Sequence, residues 1–270
     1  MEDLKIDKKL SPQEYWDKVL AKAQLPRINN RRSYHYRVTM DFIDRHIRGT
    51  GYSTFFEVGC GSSGWLPYFA KEYGLKVSGI DYSEIGCRLA EENLKMLNIS
   101  YGEIICKDLF EPNCNNGQKY DIVFSYGVIE HFDNPGEVMA IFSDFLNPGG
   151  IIITLVPNLN GLMGRMQKYF VPDIIKMHKV ITRSQLQKYH ENSGLENITT
   201  SYVGTFTIAV IPLVSSNRWV FTENSIQKKI GSFLFNAFDK TITRLFSLLR
   251  INIPSRNLSP YVLSIARRDS

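Results

Sequence analysis

With 270 residues, 43% of them apolar and 22% charged, the chain has the length and composition of one globular α/β domain with additions, which excludes a disordered or fibrous protein. The net charge of +5 is uneven: residues 1–50 carry eleven Lys and Arg against seven Asp and Glu, residues 218–270 nine against three, and the stretch between is acidic. Basic ends around an acidic middle favour an anionic or phosphate-bearing partner near the ends and argue against a continuous basic groove for nucleic acid.

The opening MEDLKIDKKL is charged and has no apolar signal-peptide core, and the longest apolar run, Phe206 to Val214, is too short to cross a bilayer and contains Pro212. A cytoplasmic protein is expected. Cys60, Cys87, Cys106 and Cys114 form no C-x-x-C pair and no metal-ligand spacing with the five histidines, so buried or half-buried thiols in a reducing compartment, and no metal, are expected.

Along the chain, Ser11, Pro12 and Glu14 predict a helix start, with Ser11 as N-cap, running to about Gln24. A second helix is expected from Tyr34 to Ile47, where Tyr34, His35 and Tyr36 can face a cleft or pack on the core. Thr54 to Val58 is a strand that stops at Gly59, Cys60, Gly61, Ser62, Ser63, Gly64, and Trp65 to Tyr73 has helical spacing. Strand, glycine turn and helix start make a ligand site at the carboxyl edge of a parallel sheet, where backbone N–H groups and missing Cβ atoms allow close approach. Glu57 would repel a pyrophosphate and suits a cationic or zwitterionic nucleoside; the glycine spacing alone would also fit an NAD-dependent oxidoreductase.

Leu75 to Asp81 reads as a second strand, and Asp81, 22 residues past Gly59 and followed by Tyr82, stands where a ribose hydroxyl is held. Ser83 caps a helix from Glu84 to Leu97 with Ile85, Leu89, Leu94 and Leu97 as its inner stripe. A third strand, Tyr101 to Cys106, delivers Asp108 to accept from an adenine amino group, with Leu109 and Phe110 to cover the ring. Tyr120 to Tyr126 is a doubly buried fourth strand, ending in Ser125, Tyr126 and Gly127 and opening into Glu130 and His131.

A helix from Pro135 to Leu146 and a fifth strand, Ile151 to Val156, complete a strict alternation, which implies a parallel sheet with right-handed crossovers. Residues 157–179 read as an irregular lid, Thr182 to Asn192 as a capped helix ended by Gly194, and Ile198 to Phe206 as a sixth strand. From Ser225 to Arg250 the apolar spacing and interleaved Lys and Arg predict a basic amphipathic helix or helix pair, fit to pack on the core, to dimerise or to rest on an anionic membrane face. Tyr261 to Ala266 supplies a last strand. The expected organisation is a helical cap over 1–50, a core over 51–206, a helical insertion over 207–258 and the final strand with its tail over 259–270.

Taken together these residues resemble the class I S-adenosylmethionine-dependent methyltransferases. EVGCGSSG at 57–64 looks like that family's first motif, with Ser63 where the tightest version has a third glycine; Asp81 and Asp108 look like its ribose and adenine acids, YDIVFSYGVIEHF at 120–132 like its fourth motif, and LNPGG at 146–150 like the turn before its fifth strand. The resemblance implies a Rossmann-like, seven-stranded, mostly parallel sheet with an antiparallel last strand inserted between the fifth and sixth, helices on both faces, and S-adenosylmethionine as cofactor with S-adenosylhomocysteine as product. It implies cofactor contacts at Glu57, Gly59, Cys60, Gly61, Gly64, Asp81, Tyr82, Asp108, Leu109, Ser125, Tyr126 and Gly127.

EHF after the fourth strand and PN-x-x-G at 157–161 look like the branch acting on quinone precursors, sugars, glycans or lipid-linked acceptors; the tetrapeptide Ser125 to Val128 is unlike that of enzymes acting on nucleic acid bases. An oxygen acceptor needs its proton removed, and His131 is the first expected base, His178 the second and His35 the third. The alternative is that Glu130 and His131 bond backbone or support the cofactor. Tyr34, Tyr36, Met163, Tyr169, Phe170 and Trp219 suggest an acceptor with an apolar part, and the basic ends an anionic one, as in a lipid-linked or nucleotide-linked sugar or a prenylated ring. A non-catalytic S-adenosylmethionine-binding or scaffold protein is the alternative.

Overall fold

The computed structural model describes residues 9–207 and 226–269; the start of the expected insertion, Trp219 included, lies outside them. Seven strands form one sheet in the order β3-β2-β1-β4-β5-β7-β6. They are β1 (Thr54–Val58), β2 (Lys76–Asp81), β3 (Tyr101–Cys106), β4 (Tyr120–Tyr126), β5 (Leu146–Pro157), β6 (Leu195–Val203) and β7 (Tyr261–Arg268). All neighbours run parallel except β7, which pairs antiparallel with β5 and β6.

Alternate strand residues feed two apolar layers, as a sheet covered on both faces requires. Phe55, Ile122, Phe124, Ile153 and Leu263 face helices α2 (Tyr34–Ile47), α3 (Trp65–Tyr73) and α4 (Glu84–Met96). Phe56, Val58, Val123, Ile152 and Val262 face α5 (Pro135–Asp144) and α8 (Arg183–Asn192). Stacked Phe55 and Phe69, with ring centres 4.0 Å apart, fix α3 on β1 and thereby set the direction in which the glycine turn opens.

Several expectations are corrected. Helix α1 (Gln13–Leu20) starts after Pro12, and Ser11 does not cap it; the Ser11 hydroxyl instead accepts from Trp16 Nε1 at 2.9 Å. The inner stripe of α4 is Gly86, Cys87, Ala90, Asn93 and Leu94, while Ile85 and Leu89 are half-buried. Large side chains mispredict that face because the helix closes on the glycine turn: a Cβ on Gly86 would lie 3.2 Å from Gly61 Cα and from Leu20 Cδ1. Ser83 does cap α4, accepting from Gly86 N.

The stretch expected to be irregular contains α6 (Leu162–Phe170) and α7 (Pro172–Lys176), anchored where Leu162 N donates to Asn257 O and Asn158 Nδ2 donates to the carbonyls of Arg256 and Ser259. Strand β6 sits three residues earlier than expected, between Gly194 and Gly204, both at positive φ. Thr205 leaves the sheet to bond Tyr34, donating its N–H to the phenolic oxygen and accepting the phenolic hydrogen. Cys106 is exposed, against expectation, and the other three thiols are buried. Residues 226–248 form one helix, α9 (Ile226–Leu248), whose Phe246 meets Tyr34. Among the described residues no helix is long and apolar enough to cross a membrane.

At the amino edge of the sheet, Asp121 ties β4 to β1 and β5: Oδ2 accepts from the N–H and hydroxyl groups of Ser53 and Thr54, and Oδ1 from Asn147 Nδ2. Burial alone would raise its carboxyl, but these donors outweigh it and hold the group at about 2. A depressed carboxylate stabilises the fold above its unfolded value and loses that contribution as pH falls through its folded one. Asp121→Asn is expected to cost about 1 kcal/mol in urea unfolding at pH 7, after allowing for solvent screening, with the deficit shrinking from about pH 4 towards pH 2.

Candidate active site

The carboxyl ends of neighbouring strands converge on a cavity of about 550 Å³. Glu57, Asp81 and Asp108, at or just past the tops of β1, β2 and β3, line one half; Tyr126, Gly127, Glu130, His131, Pro157 and Tyr261, from the tops of β4, β5 and β7, line the other. Parallel strands share a polarity, so side chains far apart in sequence meet at one edge.

The glycine turn joins the halves. Gly59 N and Cys60 N both donate to the Ile80 carbonyl, at 2.8 and 3.1 Å, which folds the turn over the end of β2. Gly59 has φ +71°, and a Cβ there would sit 2.7 Å from Val128 Cγ2. Gly61 N donates to Asp81 Oδ2 at 2.9 Å, and Asp81 Oδ1 accepts from Ser83 N at 2.9 Å. Ser63, in the third-glycine place, uses its side chain: the hydroxyl donates to Glu57 Oε1 at 2.7 Å and accepts from Trp65 N at 2.9 Å, bonding the carboxylate to the first turn of α3.

Two carboxyl groups in this cavity each leave one oxygen without a partner. Glu57 is 2% exposed and Glu130 1% exposed, and Oε2 of each makes no hydrogen bond among the described residues. Burial pushes both up to about 8, opposed at Glu57 by the Ser63 hydroxyl. Asp81 is also raised by burial, against its backbone donors from Ser83, Gly61 and Tyr82. At the β3 corner Asp108 accepts from Phe110 N and is ion-paired with Lys9, whose Nζ lies 4.3 Å from the centre of the Tyr82 ring.

In the other half, His131 Nδ1 donates to Met177 O at 2.9 Å and His178 Nδ1 to Ile174 O at 2.7 Å, which leaves each Nε2 as the proton-free nitrogen. Burial first, and His178 second, bring His131 down to about 3; burial lowers His178 too. Both imidazoles are therefore neutral at pH 7. Tyr126 donates to Tyr261 at 2.8 Å, and Tyr126, Trp65 and Tyr36 form a continuous aromatic wall.

Of the other expected site residues, Gly64, Tyr82 and Leu109 also line the cavity. Ser125 does not: its side chain is 1% exposed, inside the sheet, with no partner for Oγ among the described residues, because alternate residues of β4 point to opposite faces. His35 does not either; it lies half-buried near Gly204 with its ring nitrogens shielded, and burial holds it down at about 4. Of the residues expected to shape the acceptor, Tyr36 lines the cavity, Met163 is buried and Tyr169 is exposed. Sequence reasoning missed Lys9, Trp16 and Tyr261. Leu10 N donates to His131 O and Trp16 meets the His131 ring edge-on at 4.9 Å, so the segment before α1 crosses the cavity; only its basic and aromatic content hinted at this. Among the described residues no cluster of three or more His, Cys, Asp or Glu could hold a metal ion.

A seven-stranded sheet in this order, with β7 antiparallel and an acid-flanked glycine turn after β1, defines a class I methyltransferase of the S-adenosylmethionine-dependent kind. A family model described as a methyltransferase domain matches residues 15–200, and the chain belongs to that family. It is 28% identical over 150 residues to the ubiquinone biosynthesis O-methyltransferase of Acinetobacter baylyi, an alignment covering 54% of this chain and 58% of that protein. To the enzyme of the same name from Azoarcus sp. it is 26% identical over 195 residues, covering 69% and 79%. Among solved structures, a SAM-dependent methyltransferase from Archaeoglobus fulgidus superposes with a TM-score of 0.54 at 17% identity, covering 86% of this chain and 94% of that one. A Haemonchus contortus phosphoethanolamine N-methyltransferase 2 in complex with S-adenosyl-L-methionine does so with 0.52 at 18% identity, covering 86% and 52%. These structural likenesses establish the fold.

The close approach of Gly59 to Val128 has a measurable consequence. Gly59→Ala is expected to destabilise the protein by about 2 kcal/mol, from the left-handed backbone and the contact with Val128 Cγ2, read as a lower urea midpoint; an unchanged midpoint contradicts this geometry.

Proposed function

We propose that the protein transfers a methyl group from S-adenosylmethionine to a hydroxyl oxygen of a small-molecule, glycan or lipid-linked acceptor. The observation that carries this reading is the division of one cavity into a half lined by three acids and a half lined by aromatic rings and proton acceptors. In the first half the partnerless Oε2 of Glu57 suits the cofactor's ammonium group, Asp81 the ribose hydroxyls and Asp108 the adenine amino group, with Tyr82 and Leu109 beside the ring. For Asp108 to serve, Lys9 must share or release it. Gly59, Cys60, Gly61, Gly64 and Gly127 supply backbone at close range.

The bound cofactor supplies an activated methyl on a sulfonium centre. The remaining task of the chain is to orient the acceptor, exclude water and take up a proton. The names of the relatives, ubiquinone biosynthesis O-methyltransferases, support an oxygen acceptor on a ring. Lys9, Arg27 and Lys107, the cations that line the cavity, all belong to the cofactor half, so the reacting end of the acceptor is uncharged; an anionic group, if the acceptor has one, lies outside. Helix α9 exposes Phe238, Leu245 and Leu248 beside Lys240 and Arg244, which supports an acceptor met at an anionic lipid surface, with dimerisation as the other use of that face.

Incubating the protein and S-adenosylmethionine with a panel of prenylated dihydroxybenzenes, glycans, lipid-linked sugars and amines tests the reading: S-adenosylhomocysteine is expected from hydroxyl acceptors. Cofactor binding with no product from any member favours the non-catalytic alternative. A second measurement follows from the raised Glu57 carboxyl. Because the ammonium pairs with the ionised form, affinity for S-adenosylhomocysteine is expected to rise roughly tenfold between pH 6.5 and pH 8 in calorimetry. Glu57→Gln should bind at least about tenfold more weakly, with that part of the pH dependence gone.

A further inference from the structure

One buried acid in the acceptor half has no task in cofactor binding. Glu130 lies on the short turn after β4 and lines the cavity, and its Oε2, shielded from solvent, has no partner among the described residues. Its place is fixed on both sides: its carbonyl accepts from Lys179 N at 2.6 Å, and Gly127, at φ +68°, folds so closely over it that a Cβ there would lie 3.4 Å from Oε1. The backbone N–H of Glu130 itself partly serves the carboxyl, but a buried carboxylate oxygen left without a partner is costly and marks a place where a ligand can supply one.

The neighbours define that ligand group. His131 and His178 spend their N–H groups on backbone carbonyls, so both can only accept, as Glu130 does once it is ionised. Tyr126 from β4 donates to Tyr261 from β7, and Lys179 Nζ is paired with Asp133 at 2.7 Å. Tyr36 from α2 completes the ionisable groups on this side. Three acceptors facing one space call for an acceptor molecule that brings hydrogens.

We propose that Glu130 is the catalytic base, receiving the hydroxyl proton of the acceptor, while His131 and His178 accept hydrogen bonds from it; this rests on the hydroxyl-acceptor reading above. The O–H proton passes to the Glu130 carboxylate, the freed oxygen pair forms the O–CH₃ bond, and the C–S bond breaks with its pair left on sulfur. Glu130, now neutral, returns its proton to solvent after product release. Burial directs the proton this way: it holds Glu130 at about 8 and His131 at about 3, so the carboxylate is much the stronger base. A base ionising there makes kcat/KM rise with pH and level off above 8.

The test compares the full-length protein with Glu130→Gln, Glu130→Asp and His131→Asn, using S-adenosylhomocysteine calorimetry and turnover of S-adenosylmethionine with 1,2-dihydroxybenzene as acceptor probe. Expected for Glu130→Gln are cofactor affinity within about threefold of wild type, kcat reduced at least about 100-fold and no pH limb near 8, with partial recovery in Glu130→Asp and the limb kept in His131→Asn. Wild-type turnover or a surviving limb in Glu130→Gln overturns the proposal. So does loss of S-adenosylhomocysteine binding, which would assign Glu130 to the cofactor. Wild type that binds the cofactor but leaves the probe unmethylated overturns the base role and leaves cofactor binding standing; wild type that does not bind it removes the reading beneath as well.

Discussion

The site depends on a carboxylate kept out of water beneath a turn that only glycine can make. Glu57 tops β1, the strand flanked by β2 and β4, and its partners, the Ser63 hydroxyl and the Leu66 backbone, both belong to the turn and the start of α3. The turn above it is drawn onto the Ile80 carbonyl near the end of β2, which positions Asp81 to receive Gly61 N. Helix α4 can come close enough to complete this corner only by offering Gly86, and Cys87 and Ala90 continue its small inner face. The unmet Oε2 of Glu57 is thus the outcome of the whole strand-turn-helix unit, and that unit is useful only if a cationic group fills the space before it.

Strand order then separates two chemistries. Because β1, β2 and β3 lie on one side and β4, β5 and β7 on the other, the acids that suit a nucleoside cannot mix with the aromatic wall and imidazoles. The antiparallel β7 has a particular role in this. It starts at the carboxyl edge and so brings Tyr261 beside Tyr126 from the opposite chain direction. The segment from Lys9 to Trp16 spans both halves, tied to Asp108 through Lys9 and to His131 through Leu10 and Trp16.

Much of this was legible beforehand because it is local. Glycine spacing, the carboxylates at strand ends and the order of alternating strands are properties of short stretches, and they place Glu57, Asp81 and Asp108 at the one edge where the structure brings them together. What failed was what depends on distant neighbours. The inner face of α4 was misread because apolar periodicity counts large side chains, whereas approach to a glycine turn selects small ones. Ser125 was misplaced by one step of a strand's alternation. His131 drew attention as the residue that titrates near neutrality in water, but burial moves it and its neighbour Glu130 in opposite directions, and burial cannot be read from either residue's identity. The crossing of Lys9 joins positions 99 residues apart, which no local pattern encodes.

The most direct test of the central claim is a crystal structure of the protein with S-adenosylhomocysteine bound. The account requires the ammonium group within hydrogen-bonding distance of Glu57 Oε2, the ribose on Asp81 and the thioether sulfur turned towards the half that contains Glu130 and His131. A ligand lying elsewhere, or one in this cavity with its amino group away from Glu57, would contradict it.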